Sequence, residues 1–199
     1  MLVLASASPR RRELLAQIGC QFEVRPANIP EDLHHGEDPI AYVTRLAREK
    51  AEFVFRELTA ARESSGSQSP VSDLAVLGAD TTVTLDSLIL GKPQDAADAA
   101  RMLRMLSGRS HRVITGVALV TAHGTEVAAE ATAVRFLSIS NEEIAAYIAT
   151  GEPMDKAGAY AIQGRAARWI PRIEGCHFNV VGLPLALVAS LLESAGILA

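Results

Sequence analysis

Residues 2–19 read LVLASASPRRRELLAQIG, from Leu2 to Gly19. The apolar run Leu2–Ala5 predicts a short buried strand. Ser8 is a helix N-cap type and Pro9 suits the first helical position, where a missing N–H costs nothing. Leu14, Leu15 and Ile18 supply one apolar face, and Gly19 ends the helix. Strand, tight turn and helix in this order are the start of a sheet-and-helix fold. The first helical turn carries Arg10, Arg11 and Arg12, although a helix N-terminus is partly positive and prefers Asp or Glu. Each exposed cation there costs a few tenths of a kcal/mol, up to about 1. An anion bound at the turn reverses the sign of all these terms, because backbone N–H groups and arginine forks both match phosphate oxygens. The turn therefore reads as a phosphate seat, with a solvated basic patch as the competing reading. It is neither a nucleotide P-loop nor a dinucleotide fingerprint, since GxxxxGK[ST] and GxGxxG are both absent.

The rest of the chain continues the alternation. Phe22–Arg25 predicts a second strand, 29–38 a loop, and Ile40 to about Glu63 a long helix. Residues 64–73, SSGSQSPVSD, have the composition of a flexible surface loop rather than a domain linker. Leu74–Leu77 predicts a strand that ends in Gly78-Ala79-Asp80-Thr81. Thr82–Leu85 and Leu88–Leu90 predict a hairpin about Asp86-Ser87. Asp95 caps a helix through Leu106, and Val113–Thr121 with Thr125–Leu137 forms a second hairpin. Ser140-Asn141-Glu142-Glu143 is a capping box for a helix through Ala149. Residues 151–182 are glycine-rich with little periodicity and read as a long loop, and the last helix spans about Leu183–Leu192.

The chain has 199 residues, of which 49% are apolar and 5% aromatic, so the expected core is aliphatic. Its net charge of −4 argues against a general nucleic-acid binder. Cys20 and Cys176 form no CxxC and are expected to be small buried residues. No signal segment and no membrane-spanning run is visible, so the reading is a soluble cytoplasmic protein. The five histidines have no HxxxH or HExxH spacing, and no GxSxG elbow supports acyl transfer.

Three further stretches carry chemistry. Asp80 stands where an apolar strand emerges, suited to a base or metal carboxylate or to an ordinary turn. Gly91-Lys92-Pro93 offers a lysine on a stiff turn, either a point charge for phosphate or a surface lysine, and Lys50 is weaker still on its own. Residues 152–164, EPMDKAGAYAIQG, combine small residues for close backbone approach with Gln163, whose amide can both donate and accept. The same stretch also reads as a structural loop with a solvated Asp155–Lys156 pair.

Together SASPRRRELL, LAREKA, GADTTV, GKP, MLRMLSGRSHRVITGV, GEPMDKAGAYAIQG and NVVGLPL resemble the Maf family of nucleoside triphosphate pyrophosphatases, in the family's order and across nearly the whole chain. Arg10, Thr81 and Gln163 are similar to the branch acting on dTTP and UTP; a sister branch acting on 7-methyl-GTP differs at these three positions. The resemblance implies a single domain over residues 1–199, an α/β fold of two lobes around a mixed sheet with flanking helices and a central cleft, similar to inosine-triphosphate pyrophosphatases. It implies cleavage between the α and β phosphates, a divalent cation (Mg²⁺ or Mn²⁺) and a homodimer. Asp80 would accept the proton of the attacking water and, with Glu31, hold the metal. Ser6, Arg11, Lys50 and Lys92 would bind phosphate, and Arg10, Thr81 and Gln163 would select the base. The family was first noticed for inhibiting septum formation, so a nucleotide-binding regulator of cell division without turnover is the alternative. One departure is Gly175-Cys176-His177-Phe178, where the family often has Gly-Ser-Tyr.

Overall fold

The computed structural model describes residues 1–65 and 71–198. In chain order the elements are β1 (Leu2–Leu4), α1 (Pro9–Gln17), β2 (Phe22–Val24), α2 (Pro39–Ser65), β3 (Ala75–Leu85), β4 (Leu88–Leu90) and α3 (Ala96–Leu106). β5 (Ser110–Thr121), β6 (Gly124–Arg135), α4 (Asn141–Ile148), β7 (Arg172–Glu174), α5 (His177–Val181) and α6 (Leu185–Ser194) follow. The seven strands form one mixed sheet in the order β2-β1-β3-β5-β6-β7, with β4 paired to β3. The chain divides into two compact units.

The first unit comprises Met1–Asp80, Thr115–Glu130 and Gly182–Ala199. Its strands β2, β1 and the start of β3 run parallel, with Leu4 opposite Val24 on one side and Leu77 on the other. The buried positions of α2 are Val43, Leu46, Ala47, Lys50, Ala51 and Val54, a spacing of three and four that gives the helix one inward face. That face approaches the sheet closely because the sheet offers glycines. A Cβ on Gly78 would lie 2.1 Å from the Ala47 carbonyl oxygen, and one on Gly116 would lie 2.4 Å from that of Val43. Val3, Ala5, Ala47, Ala51, Leu74, Val76 and Ala118 are among the residues of this aliphatic core.

The second unit comprises Thr81–Ile114 and Ala131–Val181. Here the pairings are antiparallel: Val83 faces Leu90 in the β3–β4 hairpin, and Val134 faces Ile173 across β6 and β7. Its core adds rings to the aliphatic residues, with Phe136, Tyr147, Tyr160 and Trp169 packed among Leu103, Leu106 and Ile144. Asp95 caps α3 by accepting from the Asp98 amide at 2.8 Å. Ser140 and Glu143 close the capping box of α4 from both sides.

Several expectations need correction. β3 does not end at Leu77 but runs unbroken to Leu85, so Gly78, Ala79, Asp80 and Thr81 are mid-strand residues. The small residues that read as a strand end are there to admit α2. Residues 151–182 are not one loop: they hold two 3₁₀ turns (Ala157–Ala159 and Arg165–Trp169), β7 and α5. Their turns are too short to leave a period in the sequence. α2 extends to Ser65 and a 3₁₀ turn covers Val71–Asp73, while residues 66–70 of the expected surface loop lie outside the described residues. Cys20 and Cys176 are free and only half-buried, not core residues. Among the described residues, no helix is long and apolar enough to cross a membrane.

Candidate active site

The carboxyl end of β1 leads directly into the turn Ser6-Ala7-Ser8 and then α1. Ligands of parallel α/β sheets gather at this end of the strands. Ser8 accepts from the Arg11 amide at 3.5 Å and caps the helix. Successive residues turn by about 100° around a helix, so the three arginines cannot act alike. Arg12 is exposed, Arg10 is half-buried, and Arg11 turns inward. The Arg11 Nε donates to the Gly182 carbonyl at 2.8 Å, and its Nη1 donates to the Ala79 carbonyl at 2.8 Å and to the Ser6 hydroxyl at 3.2 Å. Burial lowers the pKa of this guanidinium, while the nearby charges of Asp80 and Glu31 oppose the shift.

Asp80 lies on β3 between the last residue paired with β1, Leu77, and the first paired with β4, Val83. It is 8% exposed, and Lys50, from the inward face of α2, is 7% exposed. The Lys50 ammonium sits 2.6 Å from Asp80 Oδ1 and 2.5 Å from Glu31 Oε1. Glu31 is carried by the segment between β2 and α2 and keeps 44% of its side-chain surface open to solvent. Five of the expected residues thus come together in the first unit: Ser6, Arg11, Glu31, Lys50 and Asp80. Two cations and two anions balance one another there, so a polyphosphate entering the group needs further positive charge to accompany it.

Thr81, Lys92 and Gln163 belong to the second unit. Thr81 is half-buried on β3; Lys92 and Gln163 are exposed. Lys92 stands on the turn after β4, where the Gly158 amide donates to the Gly91 carbonyl at 3.0 Å. Gln163 lies in a segment whose backbone is tied by Glu152, a residue at the head of the same stretch to which the sequence assigned no role. Glu152 accepts from the Tyr147 hydroxyl at 2.8 Å and from the Arg165 amide at 3.1 Å, and Tyr147 Oη accepts from the Ala161 amide at 3.2 Å. Asp155 and Lys156 form an ion pair, with Lys156 largely covered and Asp155 open. Two more contacts escaped the sequence reading: the carbonyls of Ala79 and Gly182, which hold Arg11 and carry no side-chain signal.

Among the described residues, no group of three or more His, Cys, Asp or Glu side chains converges. The donor set nevertheless fits a hard divalent cation of the Mg²⁺ type. Such an ion takes one or two carboxylates and completes its shell with water and substrate phosphates. Asp80 and Glu31 are two carboxylates already brought to one ammonium.

A family model described as Maf-like protein matches residues 1–195. The chain is 52% identical over 197 residues to the dTTP/UTP pyrophosphatase of Koribacter versatilis (strain Ellin345), covering 99% of this chain and 95% of that one. It is 50% identical over 196 residues to the dTTP/UTP pyrophosphatase of Hahella chejuensis (strain KCTC 2396), covering 98% and 92%. It is 51% identical over 198 residues to that of Moorella thermoacetica (strain ATCC 39073 / JCM 9320), covering 98% and 95%. With a family match that omits only the last residues, and a mixed sheet flanked by helices of the kind expected, the chain belongs to the Maf family.

Proposed function

We propose that the protein is a nucleoside triphosphate pyrophosphatase that hydrolyses dTTP and UTP, and modified pyrimidine nucleotides of the same shape, to the monophosphate and pyrophosphate. The observation that carries the reading is the convergence of Asp80, Lys50, Glu31 and Arg11 beside the turn that follows β1. Relatives named dTTP/UTP pyrophosphatase, about half identical along nearly their whole length, support the same conclusion.

In this reading a water oxygen attacks the α phosphorus, and the bond from that phosphorus to the oxygen bridging toward the β phosphate breaks. Asp80 takes the proton of the water. Lys50, Arg11, Ser6 and Lys92 hold the phosphate oxygens, so that the charge gathering on the departing pyrophosphate meets fixed cations and donors. Asp80 and Glu31 would hold the divalent cation, which supplies charge neutralisation and a more acidic water when bound. Arg10, Thr81 and Gln163 select the base: a site that hydrogen-bonds one base edge rejects a mismatched edge because buried polar groups go unpaired. We take residues 1–199 to act as one domain, as a cytoplasmic homodimer.

The test is pyrophosphate release from a panel of nucleoside and deoxynucleoside triphosphates, with and without Mg²⁺ or Mn²⁺, by the wild-type protein and Asp80→Asn. The expected outcome is metal-dependent release from dTTP and UTP ahead of ATP and GTP. Asp80→Asn should lose about 10³-fold or more in kcat with its fold intact. Wild-type rates in Asp80→Asn would show that another group removes the proton. Nucleotide binding with no release under any metal would instead make the protein a sensor of nucleotides.

A further inference from the structure

Glu31 is carried on residues 25–38, which contain neither helix nor strand. Its backbone is nevertheless held at several points by α2, the helix that also supplies Lys50. The Tyr42 hydroxyl donates to the Glu31 carbonyl at 3.0 Å. Arg45 Nη2 donates to the next carbonyl, that of Asp32, at 3.0 Å. The same guanidinium forms a two-pronged pair with Glu37, Nε to Oε1 at 2.7 Å and Nη2 to Oε2 at 2.8 Å, and its Nη1 lies 3.2 Å from Glu49. Glu37 in turn accepts from the His34 amide at 3.1 Å. The pair is well covered, with 15% of the Arg45 and 10% of the Glu37 side-chain surface exposed. The hydrogen bonds from Arg45 draw the Glu37 carboxyl down to about 2, so the pair stays ionised at any physiological pH. Burial, with the charges of Asp80 and Glu31, pushes the Tyr42 phenol up to about 12, so it remains a donor.

A surface ion pair of ordinary kind does not also bond the backbone next to a site carboxylate. We propose that Arg45, with Glu37 and Tyr42, is a positioning group for Glu31: it clasps residues 31–37 against α2 and so sets where the Glu31 carboxylate points. The inference rests on the role of Glu31 proposed above, and it assigns to Arg45 an effect on turnover that it exerts without touching substrate. A displacement of about 1 Å at a reacting centre costs as much as 10²-fold in rate, which is the scale expected here.

The experiment compares wild type, Arg45→Gln, Glu31→Gln and the double variant. It reads pyrophosphate release from dTTP across a Mn²⁺ series, Mn²⁺ affinity by electron paramagnetic resonance with α,β-methylene-dTTP bound, and amide hydrogen exchange over residues 31–37. Arg45→Gln is expected to lower kcat or weaken Mn²⁺ by about 10- to 100-fold, change KM for dTTP less, and speed exchange over 31–37. Because Arg45 acts through Glu31, the double variant should be no worse than Glu31→Gln alone. Losses that multiply in the double variant, or wild-type Mn²⁺ affinity and kcat in Arg45→Gln beside an impaired Glu31→Gln, would overturn the inference alone. An unimpaired Glu31→Gln would overturn the reading of Glu31 and the inference with it. Should Arg45→Gln fail to fold, Glu37→Gln removes only the two-pronged pair. It is expected to lose about 10-fold, and wild-type behaviour there would equally overturn the inference.

Discussion

Lys50 in the first unit and His111 in the second are buried alike, 7% and 3% exposed, but their surroundings treat charge in opposite ways. Lys50 meets two carboxylates, Asp80 and Glu31, within 2.6 Å. His111 meets rings: Phe136 with centroids 4.9 Å apart, and Tyr160, whose hydroxyl lies 2.7 Å from His111 Nε2. Among the described residues, no hydrogen-bond partner accompanies His111 Nδ1. Burial pushes the imidazole down to about 4, and burial with a smaller contribution from Tyr147 pushes the Tyr160 phenol well up, so this core stays neutral. A buried charge is tolerable when it is paired, and the first unit pairs its charges where the proposed reaction needs them. The second unit uses its polar rings as packing.

The sharpest way to break the contrast is to remove the shared cation. Lys50→Met should cost about 4 kcal/mol of folding stability in urea unfolding, because Asp80 stays buried and loses the ammonium 2.6 Å from its Oδ1. The double variant Lys50→Met/Asp80→Asn should recover much of that loss. If Lys50→Met is as stable as wild type, the two carboxylates do not depend on Lys50.

Acid tests the neutral region. The folded-state pKa of His111 is depressed, so the unfolded chain binds its proton first as pH falls. Stability should therefore decline from the ordinary imidazole pKa of about 6.5 down to about 4, by about 3 kcal/mol, and change no further from this group below that. Urea unfolding at a series of pH values should show the slope, and His111→Gln should flatten it. An unchanged slope in that variant would mean that other groups carry the acid sensitivity.

The smallest effect concerns the approach of α2 to β3. Gly78→Ala forces a Cβ against the Ala47 carbonyl and Ala51, and should cost about 2 kcal/mol. It should also lower turnover by moving Lys50 away from Asp80. Gly91→Ala meets nothing within 4 Å among the described residues and should stay within about 0.5 kcal/mol of wild type. Equal melting temperatures for the two variants would show that α2 can shift outward at no cost.

Much of the scaffold was legible because its signals are local. Ser8, Pro9 and Gly19 bound the first helix; Asp95 and Ser140 cap theirs; Asp86-Ser87 and His123-Gly124 mark the two hairpins. Asp80 was legible as a chemical residue but not as a mid-strand one, since Gly78 and Ala79 look like a strand end until the helix packed on them is known. Lys50 is a weak signal on its own in the sequence, although a lysine at an inward position of α2, between Ala47 and Ala51, is a sign of a buried partner. Arg45 gave no sign, and neither Tyr42 in its helix nor Glu152 at the head of 152–164 showed what it holds. Their targets are backbone groups 10 or more residues away, and a main-chain carbonyl or amide has no letter in the sequence.

The amino-acid order by itself determined where helices begin and stop, the alternation of strand and helix, and which residue types are fit to meet a polyphosphate. These follow from caps, periodicity and charge within a few neighbours. Only the tertiary structure decided which arginine of the three turns inward, that Lys50 stands between Asp80 and Glu31, and that the segment bearing Glu31 is clasped by Arg45. Those outcomes depend on distances between residues far apart in the chain, which are set by how closely α2 can lie on the sheet.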